Sequence, residues 1–195
     1  HLVRFETMEN IKKAKYELIE NLPKDGLAVF NLDNDGSRDL FNKCPQPNKI
    51  GYSLKETVIE TSSENTYFTL FGQRVKTTLL GRQNVLNILG AVGVAQHLGM
   101  TAVEIIRSIP FIHPVPHRLE LIRASNQALI IDDAYSSNIE GYKAAFDFSR
   151  SLPNYPKVLV TPGLVELGKS QDLENSKMAK AASSVFDYAI VVNLE

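Results

Sequence analysis

Ile130-Ile131-Asp132-Asp133-Ala134-Tyr135-Ser136-Ser137-Asn138 is the stretch on which the fold reading turns. An apolar run over 128–131 has the length and residue types of a buried strand. Two carboxylates end it, and Asn138 or Ser137 can cap a helix running from 139 to 152. In open α/β sheets ligands sit at the carboxyl ends of strands, just before the next helix, and Asp132 and Asp133 occupy that place. Helix capping alone accounts for part of the same pattern, and both readings hold together.

Working outward, the strand–helix alternation continues. A strand is expected at 157–161, a helix at 172–185 and a strand at 188–192, which implies βαβ units and a parallel sheet. Upstream, 119–123 reads as a strand separated from 128–131 by the polar turn Ser125-Asn126-Gln127. Pro110, Pro114 and Pro116 mark a linker before it. Residues 7–22 show helical spacing at Ile11, Ala14, Leu18, Ile19 and Leu22, with Thr7 as N-cap. A short strand at 27–30 closes with Asn31-Leu32-Asp33, which also fits an Asx turn. Residues 49–80 are β-rich, with a hairpin over 67–80 turning at Gly72-Gln73. Residues 83–98 and 101–109 are helices, the first apolar at Val85, Leu86, Leu89, Val92 and Ala95 and closed by Gly99. The fold class is therefore α/β: helices with a small hairpin region, then a Rossmann-like parallel sheet.

Composition narrows the function. The 195 residues suffice for one or two domains, and 44% hydrophobic content supports a buried core. Twenty-one basic against 22 acidic residues give a net charge of −1, which offers no bulk attraction to nucleic acid. No apolar run approaches the roughly 20 residues that cross a bilayer, so no membrane partner is expected. The single Cys44 cannot form an internal disulfide, which fits a reducing compartment, and reads as a packing residue.

Several polar groups are candidates for chemistry. Asn84 and Asn87 lie three apart at a helix start, where two amides can face a flat heterocycle; a cap plus a solvated amide is the plainer reading. Arg118, in His117-Arg118-Leu119-Glu120, can reach a phosphate with its planar fork or make a surface ion pair. Val160-Thr161-Pro162-Gly163 through Glu166-Leu167-Gly168 is a Gly-punctuated loop at the same sheet edge, or a plain connection. Lys15, after Ala14, sits beside the apolar side of its helix. His1 opens His1-Leu2-Val3-Arg4-Phe5.

In this order these segments resemble the Mur ligase family, and its MurF type most. The carrying motifs are His1-Leu2, Ala14-Lys15, Asn31-Leu32-Asp33, Gly81-Arg82-Gln83-Asn84-Val85-Leu86-Asn87, His117-Arg118-Leu119-Glu120, Asp132-Asp133-Ala134-Tyr135 with Asn138, and Glu166-Leu167-Gly168. The resemblance implies that residues 1–114 are the back half of a central ATP-binding domain and 115–195 an incomplete C-terminal Rossmann-like domain. It implies ATP and Mg2+ as cofactors, with His1 and a carbamylated Lys15 on the metal. Asn84 and Asn87 would face adenine, Arg118 the γ-phosphate and Asp133 the ribose. Lys15, His1 and Arg118 would then be the catalytic set. The implied partners are a UDP-MurNAc-peptide and D-Ala-D-Ala in the cytoplasm; oligomeric state is not implied. The resemblance departs at two points: Gln83 replaces the family's histidine, and no Gly-x-x-Gly-Lys-Thr/Ser phosphate loop occurs in the chain. The chain is thus expected to hold about half of an active site and to be inactive alone. A related ligase acting on another substrate (folylpolyglutamate or cyanophycin type) and a non-catalytic nucleotide-binding module remain as alternatives.

Overall fold

A computed structural model describes residues 5, 7–62, 64–135, 138–152 and 156–192. His1 and Ser137 lie outside the described residues.

Helix α1 spans Met8–Glu20, and the Thr7 hydroxyl accepts from Asn10 N at 3.1 Å as its N-cap. Its inward side is Tyr16 and Ile19, followed by Leu22, while Leu18 is 75% exposed. The expected face is thus rotated, because Tyr16 packs where Leu18 was placed. Strand β1 (Ala28–Asn31) pairs in parallel with β2 (Lys49–Tyr52). Between them runs α2 (Asp35–Lys43), capped by Asn34. The sequence reading missed α2, whose apolar content is only Leu40 and Phe41 within nine residues. Ala28 and Phe30 face α1 and α2 in a core that also holds Cys44.

Strands β3 (Ile59–Thr61), β4 (Thr66–Leu70) and β5 (Gln73–Thr77) form an antiparallel sheet. The β4–β5 turn is at Phe71-Gly72, with φ of 51° and 73°, one residue earlier than expected. Left-handed angles at both central residues match the right-handed twist of a tight hairpin.

Helix α3 (Arg82–His97) connects the two sheets. Val85, Ile88 and Val92 join Phe68, Leu70 and Val75 in one cluster, with Ile105 of α4 (Ala102–Ser108) and Ile109. On its other side, a Cβ added at Gly93 would stand 2.4 Å from the Ile50 side chain. Small residues there let the helix lie close on β2. Gly99, with φ 89°, follows the helix as expected. A Thr101–Glu104 capping box starts α4.

Beyond the prolines, β6 (Glu120–Arg123) and β7 (Leu129–Asp132) pair antiparallel. Helix α5 (Ile139–Ser151) follows, with Asn138 accepting from Gly141 N at 2.8 Å as its cap. Strands β8 (Val158–Thr161) and β9 (Tyr188–Val191) pair in parallel around α6 (Gln171–Ala182). Beyond the prolines, the parallel βαβ unit is therefore this last one, a counterpart of β1–α2–β2, whereas β6–β7 is a hairpin. Phe146 packs edge-on against Phe186 at 5.1 Å. Phe148 on α5 and Leu152 at its C-cap instead meet Leu80 and Leu119. That small apolar cluster carries α3's N-terminal approach up against the start of β6.

Candidate nucleotide-facing site

Gly81 is the N-cap residue of α3 and has φ 82°, ψ 159°, a conformation that favours glycine. A Cβ there would stand 2.9 Å from Leu119 Cδ2. Leu80 and Leu119 are both buried in the same cluster. The segment bearing Asn84 and the segment bearing Arg118 therefore meet at Gly81–Leu119.

From that contact the polar groups fan out. The Asn84 amide nitrogen donates to Leu80 O at 2.8 Å, which leaves its carbonyl oxygen uncommitted among the described residues. Asn84 does not cap the helix; Gly81 does so without a side chain. Asn87, nearly one turn on, is exposed and has no hydrogen-bond partner among the described residues. On the other side of the contact, Leu119 N donates to Asp133 Oδ1 at 3.0 Å. Arg118 makes no ion pair among the described residues; its guanidinium lies 4.3 Å from the centre of the Tyr135 ring. The surface ion pair considered from sequence is thus replaced by a stack. Stacking uses the face of the guanidinium and leaves its in-plane N–H donors available.

The strap that holds Arg118 is strained. His117 and Leu119 have φ of 63° and 49°. A left-handed conformation costs an L residue on the order of 1–2 kcal/mol. Hydrogen bonds hold it in place. His117 Nδ1 pairs with Asp132 Oδ2 at 2.8 Å, His117 N donates to Glu120 Oε2 at 3.1 Å, and Tyr135 N donates to His117 O at 3.2 Å. Asp132 Oδ1 also accepts from Ala134 N at 3.1 Å. The side-chain bond to Asp132 lifts the His117 imidazole above its ordinary range, and the same bond holds Asp132 below the usual carboxylate range. Asp133 moves the other way: burial pushes it up, against the Leu119 N–H bond and the nearby Arg118 charge, which pull it down. Asp133 is thus a partly dehydrated carboxylate in the field of the Arg118 guanidinium, which makes no ion pair among the described residues.

The remaining sequence candidates stand apart. Lys15 is exposed on α1, with no partner among the described residues. The lysine that does engage is Lys12, 3.8 Å from Asp39. Asp33 N donates to Asn31 Oδ1 at 2.9 Å, the expected Asx turn. Asp33 in turn accepts from Leu54 N at 2.8 Å and from the Ser53 hydroxyl. Burial raises Asp33's pKa, but these two bonds together with the Lys55 and Arg38 charges outweigh it, and the group ends below its ordinary range. The loop after β8 is stitched internally. Leu164 N donates to Asn175 Oδ1 at 2.7 Å, Asn175 Nδ2 donates to Leu164 O at 3.0 Å, and Gly163 N donates to Thr161 Oγ1 at 3.0 Å. His117, Glu120 and Asp132 form the group of three potential metal-binding side chains found among the described residues. Their hydrogen bonds to one another and to neighbouring backbone account for it.

Residues 1–95 match the Mur ligase middle domain. The chain is 29% identical over 197 residues to the UDP-N-acetylmuramoyl-tripeptide–D-alanyl-D-alanine ligase of Escherichia coli strain K12, an alignment covering 94% of this chain and 43% of that protein. The chain is similar to the Mur ligases. Its fold agrees with a crystal structure of MurF from Acinetobacter baumannii, with a TM-score of 0.87 at 24% identity over 98% of this chain and 44% of that one. It agrees equally with MurF ligase from Thermotoga maritima in complex with ADP, with a TM-score of 0.85 at 23% identity over 100% of this chain and 46% of that one. The chain thus spans less than half the length of the curated relatives it matches.

Sequence reasoning placed Asp132 beside Asp133 at the ligand-binding edge of the sheet, named Tyr135 only within a motif, and left His117 and Glu120 as neighbours of Arg118. Two left-handed non-glycine residues around an arginine leave no signature in composition or periodicity.

Proposed function

We propose that this chain is part of an ATP-dependent amide-bond-forming ligase of peptidoglycan precursor synthesis, one that adds D-Ala-D-Ala to a UDP-MurNAc-tripeptide in the cytoplasm. The observation that carries this reading is the meeting, at the Gly81–Leu119 contact, of the segments that bear Asn84, Arg118 and Asp133. Residues 1–114 would be the back half of the ATP-binding domain and 115–195 the start of the C-terminal domain.

The groups at the contact suit a nucleotide. The free Asn84 carbonyl oxygen can accept from an exocyclic amine, and the Asn87 amide can donate to and accept from a ring edge. The Asp133 oxygen not bonded to Leu119 can accept from ribose hydroxyls. The Arg118 fork is set to neutralise charge on a transferring phosphoryl group, where the protein's contribution is positioning and electrostatics. The γ-phosphorus leaves the bridging oxygen of ADP and bonds to a substrate carboxylate oxygen, giving an acyl phosphate. The amine then attacks the acyl carbon, phosphate departs and the nitrogen loses a proton. A bound magnesium ion would supply charge neutralisation on the phosphates, and the residues of this chain suited to it are His1 and a carbamate on Lys15, since a bare amine offers no oxygen. The chain carries no Gly-x-x-Gly-Lys-Thr/Ser segment. Gly163 to Ser170 has the wider Gly-x-x-x-x-Gly-Lys-Ser spacing, but Asn175 takes both the N–H and the carbonyl of Leu164 in that loop, so the chain alone should turn over no ATP.

The test is single-turnover acyl-phosphate formation by the full-length ligase carrying Arg118→Ala. The reading expects a large loss of rate in phosphoryl transfer; an unchanged rate removes Arg118 from the mechanism.

A further inference from the structure

Arg118 is the one residue of its strap whose neighbours on both sides are left-handed. Its direction is therefore set by what holds His117 and Leu119. Leu119 is held by Asp133. His117 is held at its ring by Asp132, at its N–H by Glu120 and at its carbonyl by Tyr135 N. Asp132 reaches further than the others. One carboxylate oxygen takes the His117 ring and the other takes Ala134 N, in the turn that carries Tyr135. The same carboxylate thus sets the residue before Arg118 and the turn presenting the ring beneath its guanidinium.

We infer that Asp132, acting through His117 and the Tyr135 turn, is a positioning residue that aims Arg118 at the transferring phosphoryl group. This rests on the proposed phosphate role of Arg118. Asp132 acts within the protein, one oxygen accepting from the His117 ring and the other from Ala134 N. The pair works best with His117 as imidazolium. The charged groups facing His117 are Asp132 at the end of β7 and Glu120 on β6, with Arg118 and Asp133 as the adjoining charges. As pH rises through the titration of His117 the ion pair becomes a neutral N–H to carboxylate bond, and the strap is held less firmly before Arg118.

The experiment uses the full-length ligase and single-turnover acyl-phosphate formation from ATP and UDP-MurNAc-tripeptide, followed across pH, with ATP affinity measured separately. Asp132→Asn should slow the step on the order of 10- to 100-fold, as expected when a catalytic group shifts by about an ångström. ATP affinity should change by less than about threefold, since a neutral Asn can still accept from Ala134 N. The high-pH inflection of the rate should move to lower pH, and Asp132→Glu should restore part of the rate by restoring the charge. Should Asp132→Asn fail to fold, His117→Ala decides: it should slow the step and abolish the inflection. Arg118→Ala in parallel separates the two claims. If it leaves the rate unchanged, the phosphate reading falls and the inference with it. If it slows the step while the decisive Asp132 or His117 variant matches the parent in both rate and pH profile, the positioning inference alone is overturned.

Discussion

Replacing Gly81 by Ala probes the contact on which the site is built. At φ 82° and ψ 159° a side chain is strained; such conformations cost on the order of 1–3 kcal/mol. The new methyl would also stand 2.9 Å from Leu119 Cδ2 and 3.3 Å from Gln83 Oε1. Crowding of this kind typically costs about 1–3 kcal/mol, while the stiffer unfolded chain returns about 0.4–1 kcal/mol. The net expectation is a loss of about 2–4 kcal/mol, read from urea unfolding followed by far-UV circular dichroism. The crowding part belongs to Leu119, so Leu119→Ala, itself costing about 2–5 kcal/mol, should combine with Gly81→Ala less than additively by about 1 kcal/mol. A Gly81→Ala protein within about 0.5 kcal/mol of the parent, or strict additivity in the pair, would refute the claim that these two segments press together.

Other expectations follow from single groups. Thr66 is fully buried and its hydroxyl has no hydrogen-bond partner among the described residues, so Thr66→Val should raise stability by about 1 kcal/mol in the same unfolding assay. Thr101→Ala breaks the capping box of α4 and should cost about 0.5–2 kcal/mol. Burial raises Asp133 in the folded state, so its charge opposes folding as pH rises through that value. Asp133→Asn should keep or raise the urea midpoint at pH 7 while weakening ATP binding to the full-length ligase, measured by calorimetry. For the His117–Asp132 pair, the His117 contribution is complete below about pH 6.5 and lost as pH rises through its elevated folded value. The Asp132 contribution is present above about pH 3.9 and lost as pH falls through its depressed folded value. A proton NMR titration should place the His117 midpoint above that of a free histidine, and Asp132→Asn should return it to the ordinary range.

The sequence announced what periodicity encodes. The helix at 82–97 and the strand–helix–strand unit ending at Tyr188–Val191 stand where the apolar spacing placed them, and Asn138, one of the two expected caps, caps its helix. Within the helix at 82–97 the spacing found Val85 and Val92 but passed over Ile88, which is buried, while Leu86, Leu89 and Ala95 are only partly buried. Helix α2 escaped because Leu40 and Phe41 are too few to generate a period within nine residues. Leu18 was misassigned because five apolar positions around α1 fit more than one face, and the choice of Tyr16 depends on the strand that packs there. At the site, residue identities were visible and connections were not. The pairing of His117 with Asp132 spans 15 positions and arises from the antiparallel register that sets Glu120 opposite Asp132. The stack of Arg118 on Tyr135 depends on a left-handed strap that no residue type announces.

Hydrogen exchange of the full-length protein with and without a non-hydrolysable ATP analogue tests the central claim most directly. If one nucleotide lies between the start of α3 and the Arg118 strap, peptides covering 81–88 and 116–135 should both gain protection at the same analogue concentration. Protection of only one of these segments, or of neither while the analogue is bound, would contradict the account.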